Sequence, residues 1–258
     1  MSAWRSVYEA LRDLVKSTAG IRESESVRQI TASVKAGEGL PDPYLLKVFK
    51  FLAERVPLIR GEKPWDTPDF ALFSEALMQS KEFTDLLWGG LSASRRREGA
   101  LVDMHCGPAV SLEYAAKLWS RLIAVDPSDI NLAIAEERLR GIGNSNYLLV
   151  KGDYVSFLRH LSEPIGSIII ASPSNWLYEP MPLISRASAA LSPGGQFIMI
   201  APLEWEGANP ITPFLVALGS TAGTWSAELV RSYIEGERFG SVRFRRGPLL
   251  TLISAVKP

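Results

Sequence analysis

The sequence predicts an α/β protein: a doubly wound, mostly parallel seven-stranded sheet with a C-terminal antiparallel strand pair, preceded by an all-helical N-terminal region. Three observations carry this. From Gly99 onward, short apolar runs ("ALVDM", "RLIAVD", "NYLLVKGD", "GSIIIAS", "GQFIMIAP") alternate with amphipathic segments of helix length. Apolar runs of that kind are buried strands covered by helices on both faces. Residues 1–95 show only helical periodicity. The last segment, "GSVRFRRGPLLTLISAVKP", holds two strands joined by the turn at Arg246-Gly247-Pro248. So short a link forces antiparallel pairing, because a parallel crossover needs about a dozen residues. The chain thus divides into a helical cap region, 1–95, and a sheet domain, 96–258.

The N-terminal helices follow from spacing and caps. Trp4, Val7, Tyr8, Leu11, Leu14 and Val15 form one apolar stripe. A second helix runs through Val27, Ile30 and Val34 and stops at "AGEG". The third starts behind Asp42 with Pro43 at its first position, and Pro57 ends it. Thr67 and Pro68 repeat that start before "DFALFSEALM". The helix "SKEFTDLLW" is expected to stop at Gly89-Gly90. Phe70, Phe73, Leu77 and Met78 share a helical face and read as core rather than substrate wall.

Composition narrows the function. At 258 residues, with 47% hydrophobic and 22% charged residues, the chain can bury a sizeable core. Its net charge is zero, so no polyanionic partner is expected and nucleic acid is disfavoured. Arg95-Arg96-Arg97 reads as a solvated helix end. One cysteine, Cys106, excludes an internal disulfide or a cysteine-based zinc site. His105 and His160 are the only histidines and have no metal-ligand spacing, so no metal is expected. No apolar run approaches the ~18 residues of a membrane helix. The charged N-terminus lacks the apolar core of a leader, so a cytoplasmic protein is expected.

Ligands of an open α/β sheet bind at the carboxyl ends of its strands, near the switch point. Strand one ends in Asp103, followed by the loop His105-Cys106-Gly107-Pro108; strand two ends in Asp126, and strand three at Asp153. A carboxylate ending strand two is placed to accept the hydroxyls of an adenosine ribose. Asp153 would meet the adenine amino group, with Tyr154 over the ring. A single aspartate at such a place is usually a helix cap. Three at successive strand ends are not explained by capping alone.

The ordered motifs "LVDMHCGPA", "LIAVDPSDINLAIAEERL", "VKGD" and "LSPGGQFIMI" resemble those of class I S-adenosylmethionine-dependent methyltransferases. The resemblance spans residues 100–257 and implies a Rossmann-like domain over 96–258 that binds S-adenosylmethionine. It also implies that Asp126 and Pro127 hold the ribose, that Asp153 and Tyr154 hold the adenine, and that Asp103, His105 and Gly107 hold the methionine part. The helical region and "KPWDT" give a second, looser likeness, to nicotianamine synthases. These share the fold but transfer a 3-amino-3-carboxypropyl group.

The loop departs from the pattern. Where the family has glycines, the chain has His105, Gly107 and Ala109. The loss weighs more heavily against a dinucleotide, whose pyrophosphate must press onto backbone amides. S-adenosylmethionine has no phosphate and tolerates side chains there. On the acceptor side, "SPSNW" follows strand four, so Ser172 and Asn175 could position a polar acceptor and Trp176 could flank it. The packing alternative for Trp176 and Tyr178 is a place beneath the helical cap. Trp205 and Glu206, after strand five, are similar candidates. If the acceptor must lose a proton, His105 and Glu206 are the candidate bases.

The expected function is a methyltransferase acting on a small-molecule acceptor. Aminocarboxypropyl transfer and a non-catalytic binding protein remain the alternatives, and a homo-oligomer is left open.

Overall fold

A computed structural model describes residues 47–48, 51, 65–94, 98–153, 157, 163–171, 180–206, 209 and 224–258. The first two N-terminal helices expected from the sequence, and most of the third, lie outside the described residues. So do Arg95-Arg96-Arg97, Tyr154, His160, Ser172, Asn175, Trp176 and Tyr178.

Two helices lead into the sheet. Helix α1 (Pro68–Met78) is capped by Thr67, whose side chain accepts from Phe70 N at 3.2 Å, with Pro68 in the first turn. Helix α2 (Lys81–Ser92) is capped by Ser80. It runs through Gly89-Gly90 instead of stopping there, and the reason is packing. A Cβ on Gly90 would lie 3.0 Å from Ile198 and 3.2 Å from Leu252, so this glycine lets the helix approach the sheet closely.

The sheet strands are β1 (Ala100–Met104), β2 (Leu122–Asp126), β3 (Tyr147–Lys151), β4 (Ile165–Ala171) and β5 (Leu191–Ala201). A short pair follows, β6 (Leu203–Glu204) with β7 (Trp225–Ser226), and then β8 (Gly240–Arg246) and β9 (Thr251–Val256). The seven-stranded order is β3-β2-β1-β4-β5-β9-β8. The first five strands pair in parallel, while β9 is antiparallel to both β5 and β8. This is the sheet the sequence predicts, with its terminal pair. The parallel pairing of β6 with β7 is additional. Within "LSPGG", Leu191 pairs with Ile165 and residues 192–195 fall in a register shift before Gln196 pairs with Ser167.

Helices α3 (Val110–Ala115), α4 (Asp129–Gly141), α5 (Pro180–Ala190) and α6 (Ala227–Gly236) complete the layers. Alternation divides the core. Leu101, Leu122, Ile169, Ile198 and Leu252 face α1 to α4. Val102, Ile123, Ile168, Phe197 and Ile253 face α5 and α6. Two covered faces explain why "SIIIA" needs no polar alternation: Ile168, Ile169 and Ile170 are all fully buried. Each contributes ~1.5–3 kcal/mol by leaving water.

Helix α2 packs on a sheet face, and its Glu82 carboxylate accepts from Leu249 N and Leu250 N at 2.8 and 2.7 Å, bracing the β8–β9 turn. The expected division at residue 95 therefore falls between a helix and a strand that share one core.

Candidate functional site

The order of strands reverses between β1 and β4, and the carboxyl ends of β1 and β2 open beside that switch point. A small cleft lies there, lined by Trp65, Phe70, Ser74, His105, Gly107, Asp126, Pro127 and Asn131.

The loop after β1 supplies His105 and Gly107. It turns through left-handed backbone at His105 (φ 61°), Gly107 (φ 52°) and Ala109 (φ 59°). Two of these residues carry a Cβ, which disfavours that region by ~1–2 kcal/mol each. The surroundings hold the loop in place. Cys106 N donates to Val125 O at 3.1 Å, and Ala109 N donates to Cys106 O at 2.9 Å. Arg138, from α4, donates to Pro108 O at 2.8 Å and to Glu113 at 2.7 Å, and it pairs with Glu75 of α1 at 3.5 Å. The glycine pattern is lost while the backbone course it favours is kept.

Asp126 is the best-furnished group in the cleft. Its Oδ1 accepts from Ser128 N at 2.9 Å and from Asn131 Nδ2 at 3.1 Å, and its Oδ2 accepts from Gly107 N at 2.9 Å. Burial raises its carboxyl to about 6 from 3.8, against the pull of these donors. Ser128 caps α4 and donates to Asp66 at 2.7 Å, which ties the segment before α1 to the same strand end.

His105 reaches the cleft wall nearly buried, and burial lowers its imidazole to about 4, with the charge of Asp153 opposing the shift. It is therefore neutral near pH 7, a hydrogen-bonding group and a poor proton acceptor. Asp103 is fully buried below the loop and bonded to Ser111; it is not among the residues lining the cleft. Asp153 lies two residues past the end of β3, half-buried, and does not line it either. Burial also pushes the Cys106 thiol up, which makes it a poor nucleophile.

The candidates after β5 are not brought to the cleft. Trp205 donates from Nε1 to Thr251 Oγ1 at 3.0 Å and stacks edge-on against Phe244 at 6.1 Å. It is a packing residue at the sheet edge. Glu206 beside it is exposed. Conversely, the sequence reading missed Trp65, Ser74 and Asn131 and assigned Phe70 to the core alone. Phe70 is buried and also lines the cleft. A signal existed for Asn131: it is a polar residue four positions before Ala135 on the inward stripe of α4.

No family model matches the sequence, and no curated protein matches it. Solved structures do. An O-methyltransferase family protein from Burkholderia thailandensis matches with a TM-score of 0.62 at 11% identity, over 98% of this chain and 83% of that one. The S-adenosylmethionine-dependent methyltransferase SibL matches at 0.60 and 15%, over 98% and 75%. A geranyl diphosphate methyltransferase, solved with GPP and sinefungin, matches at 0.56 and 12%, over 72% and 84%. The likeness is one of fold: the chain has the fold of the class I S-adenosylmethionine-dependent methyltransferases.

Proposed function

We propose that the protein is an S-adenosylmethionine-dependent transferase, a methyltransferase acting on a small molecule. The observation that carries this reading is Asp126. It is a buried carboxylate at the end of β2, lines a cleft at the switch point, and is oriented by the Gly107 amide of the loop after β1. The fold supports the same reading.

The residues present suit the cofactor. Ser74 Oγ and Asn131 Oδ1 are buried in the cleft wall and, among the described residues, have no hydrogen-bond partner. A ligand rich in hydroxyl and amino groups would satisfy them. When bound, S-adenosylmethionine supplies a carbon made electrophilic by its sulfonium. What the chain must add is alignment and the exclusion of water. Asp126, ionised above about pH 6, accepts a hydrogen bond from a ribose hydroxyl and so fixes the ribose. Trp65 and Phe70 wall the cleft and displace water from it. His105 contributes a neutral imidazole to the wall. Zero net charge favours a small acceptor over nucleic acid.

Calorimetry with S-adenosylmethionine tests the reading: binding is expected, and its absence from the folded protein refutes it. Acceptor screening with by-product analysis tests the reaction. S-adenosylhomocysteine is the expected product, and methylthioadenosine would replace methyl transfer with aminocarboxypropyl transfer.

A further inference from the structure

Ala109 sits between two anchored pieces of chain. Before it, the Pro108–Ala109 peptide is held at both edges: Pro108 O accepts from Arg138 Nε at 2.8 Å, and Ala109 N donates to Cys106 O at 2.9 Å. After it, α3 begins, and Glu113 N donates to Ala109 O at 3.1 Å. The Glu113 side chain accepts from Arg138 Nη1 at 2.7 Å. One guanidinium thus grips the chain on both flanks of a single residue. Peptide planes are rigid, so fixing the plane before a residue and the path after it fixes its dihedral angles. Here they are φ 59° and ψ 31°. That is the left-handed region, which a residue with a Cβ does not favour by itself.

The guanidinium is itself held. Its Nη2 pairs with Glu75 of α1 at 3.5 Å. A planar fork with donors in set directions meets three acceptors at once, which an ammonium cannot do. Helix α1 also supplies Phe70 and Ser74 to the cleft, while the loop supplies His105 and Gly107. Arg138 does not line the cleft, yet it joins two parts of the wall.

We propose that Arg138 is a positioning residue for ligand binding. By holding Ala109 left-handed, it keeps the loop between β1 and α3 in the course that brings His105 and Gly107 to the cleft. It does by contact what glycines would do by conformational freedom. The proposal rests on the reading of the cleft as the S-adenosylmethionine site. Arg138 acts through Pro108 O and Glu113.

The experiment is a double-mutant cycle in affinity, by calorimetry with S-adenosylhomocysteine, over wild type, Arg138→Lys, Ala109→Gly and the double variant. Lysine keeps a positive charge near the two glutamates but puts a methylene where Nε stood, so Pro108 O loses its donor. Arg138→Lys is expected to bind about 10-fold more weakly, because the loop then leaves its left-handed course most of the time. Ala109→Gly alone is expected to bind as wild type does. In the double variant, affinity is expected to return to within about two-fold of wild type, since glycine adopts that course at no steric cost. A packing role alone would shift Tm without this rescue. Unchanged affinity in Arg138→Lys overturns the proposal, and so does equal weakening with and without Ala109→Gly. Should the lysine variant not fold, Glu75→Gln with Arg138→Met, which leaves no buried acid unpaired, takes its place in the cycle. Hydrogen exchange of the Gly107 amide, bonded to Asp126, reads the loop in the ligand-free protein. It should quicken about 10-fold in Arg138→Lys and return to the wild-type rate in the double variant. Wild type that binds no S-adenosylhomocysteine refutes the cofactor reading, whereas equal exchange rates in all four proteins refute the clamp.

Discussion

Asp103 and Asp126 stand at the ends of adjacent parallel strands, on the same face of the sheet, and meet opposite fates. Asp103 pairs in register with Ala124, and Met104 with Val125. The residue of the β1 chain level with Asp126 is therefore His105. That single step along the strand decides the difference. Asp103 lies one layer lower, is fully buried, and is bonded to Ser111; its carboxyl is pushed up to about 8. Asp126 reaches the open edge, takes three protein donors, and stays near 6. The same residue type is thus a protonated core group in one strand and, in the next, an ionised group lining the cleft. Being near a strand end does not suffice; the side chain must clear the last covered layer.

Removing each carboxyl tests the contrast. The largest effect is expected for Asp126→Ala. Losing a charged acceptor is worth ~1.5–3 kcal/mol, so affinity for S-adenosylhomocysteine should fall by ~10- to 150-fold in calorimetry. In wild type, affinity should also weaken as pH drops through about 6, where Asp126 gains its proton.

A smaller effect of a different kind is expected for Asp103→Asn, with affinity kept within a few-fold. The raised carboxyl of Asp103 means that folding takes up a proton, so its stability contribution is full below about pH 4 and is lost as pH rises toward 8. Asp126 acts in the same direction, between about 4 and 6. His105, lowered to about 4, acts oppositely: its contribution is present above about 6.5 and is lost as pH falls toward 4. Of these three groups, only Asp103 still titrates between about pH 6.5 and 8. Denaturant titrations should show wild type losing ~1–2 kcal/mol over that window. The asparagine variant should stay level. An equal slope in both proteins would contradict the sealed, protonated state of Asp103.

The smallest effect concerns the loop that joins the two levels. Ala109 sits at φ 59°, ψ 31°, the left-handed region that glycine adopts without penalty. Ala109→Gly should raise stability by ~0.5–1 kcal/mol, read as an upward shift in Tm, without changing ligand affinity. A loss of stability would show that burial of the Ala109 methyl in the core outweighs the relief of the left-handed backbone.

Much of the fold was legible in the sequence because it rests on periodicity. Apolar runs such as "SIIIA" mark strands buried on both faces, and the short link at Arg246-Gly247-Pro248 forces an antiparallel pair. Gly89-Gly90 was misread because a glycine pair that lets a helix approach a sheet looks, in one dimension, like one that ends a helix. The site was half legible. Asp126, Pro127, Gly107 and His105 are local to two strand ends, and the structure brings all four to one cleft. Trp65, Phe70 and Ser74 come from about 30 to 60 residues earlier in the chain, and no spacing rule connects them to Asp126.

The sequence by itself determined the layered α/β architecture, the antiparallel close of the sheet, and the strand end where a ligand would be held. These follow from local preferences that repeat along the chain: apolar period, turn length, and the place of an acid after a strand. Only the tertiary structure decided that Asp103 is sealed while Asp126 lines the cleft, that a loop without its usual glycines keeps a left-handed course, and that Asn131 is brought to the cleft wall. Those outcomes depend on strand register, on the clamp that Arg138 makes between two helices and a loop, and on what covers each side chain. They are relations between residues distant in sequence, set by packing in three dimensions.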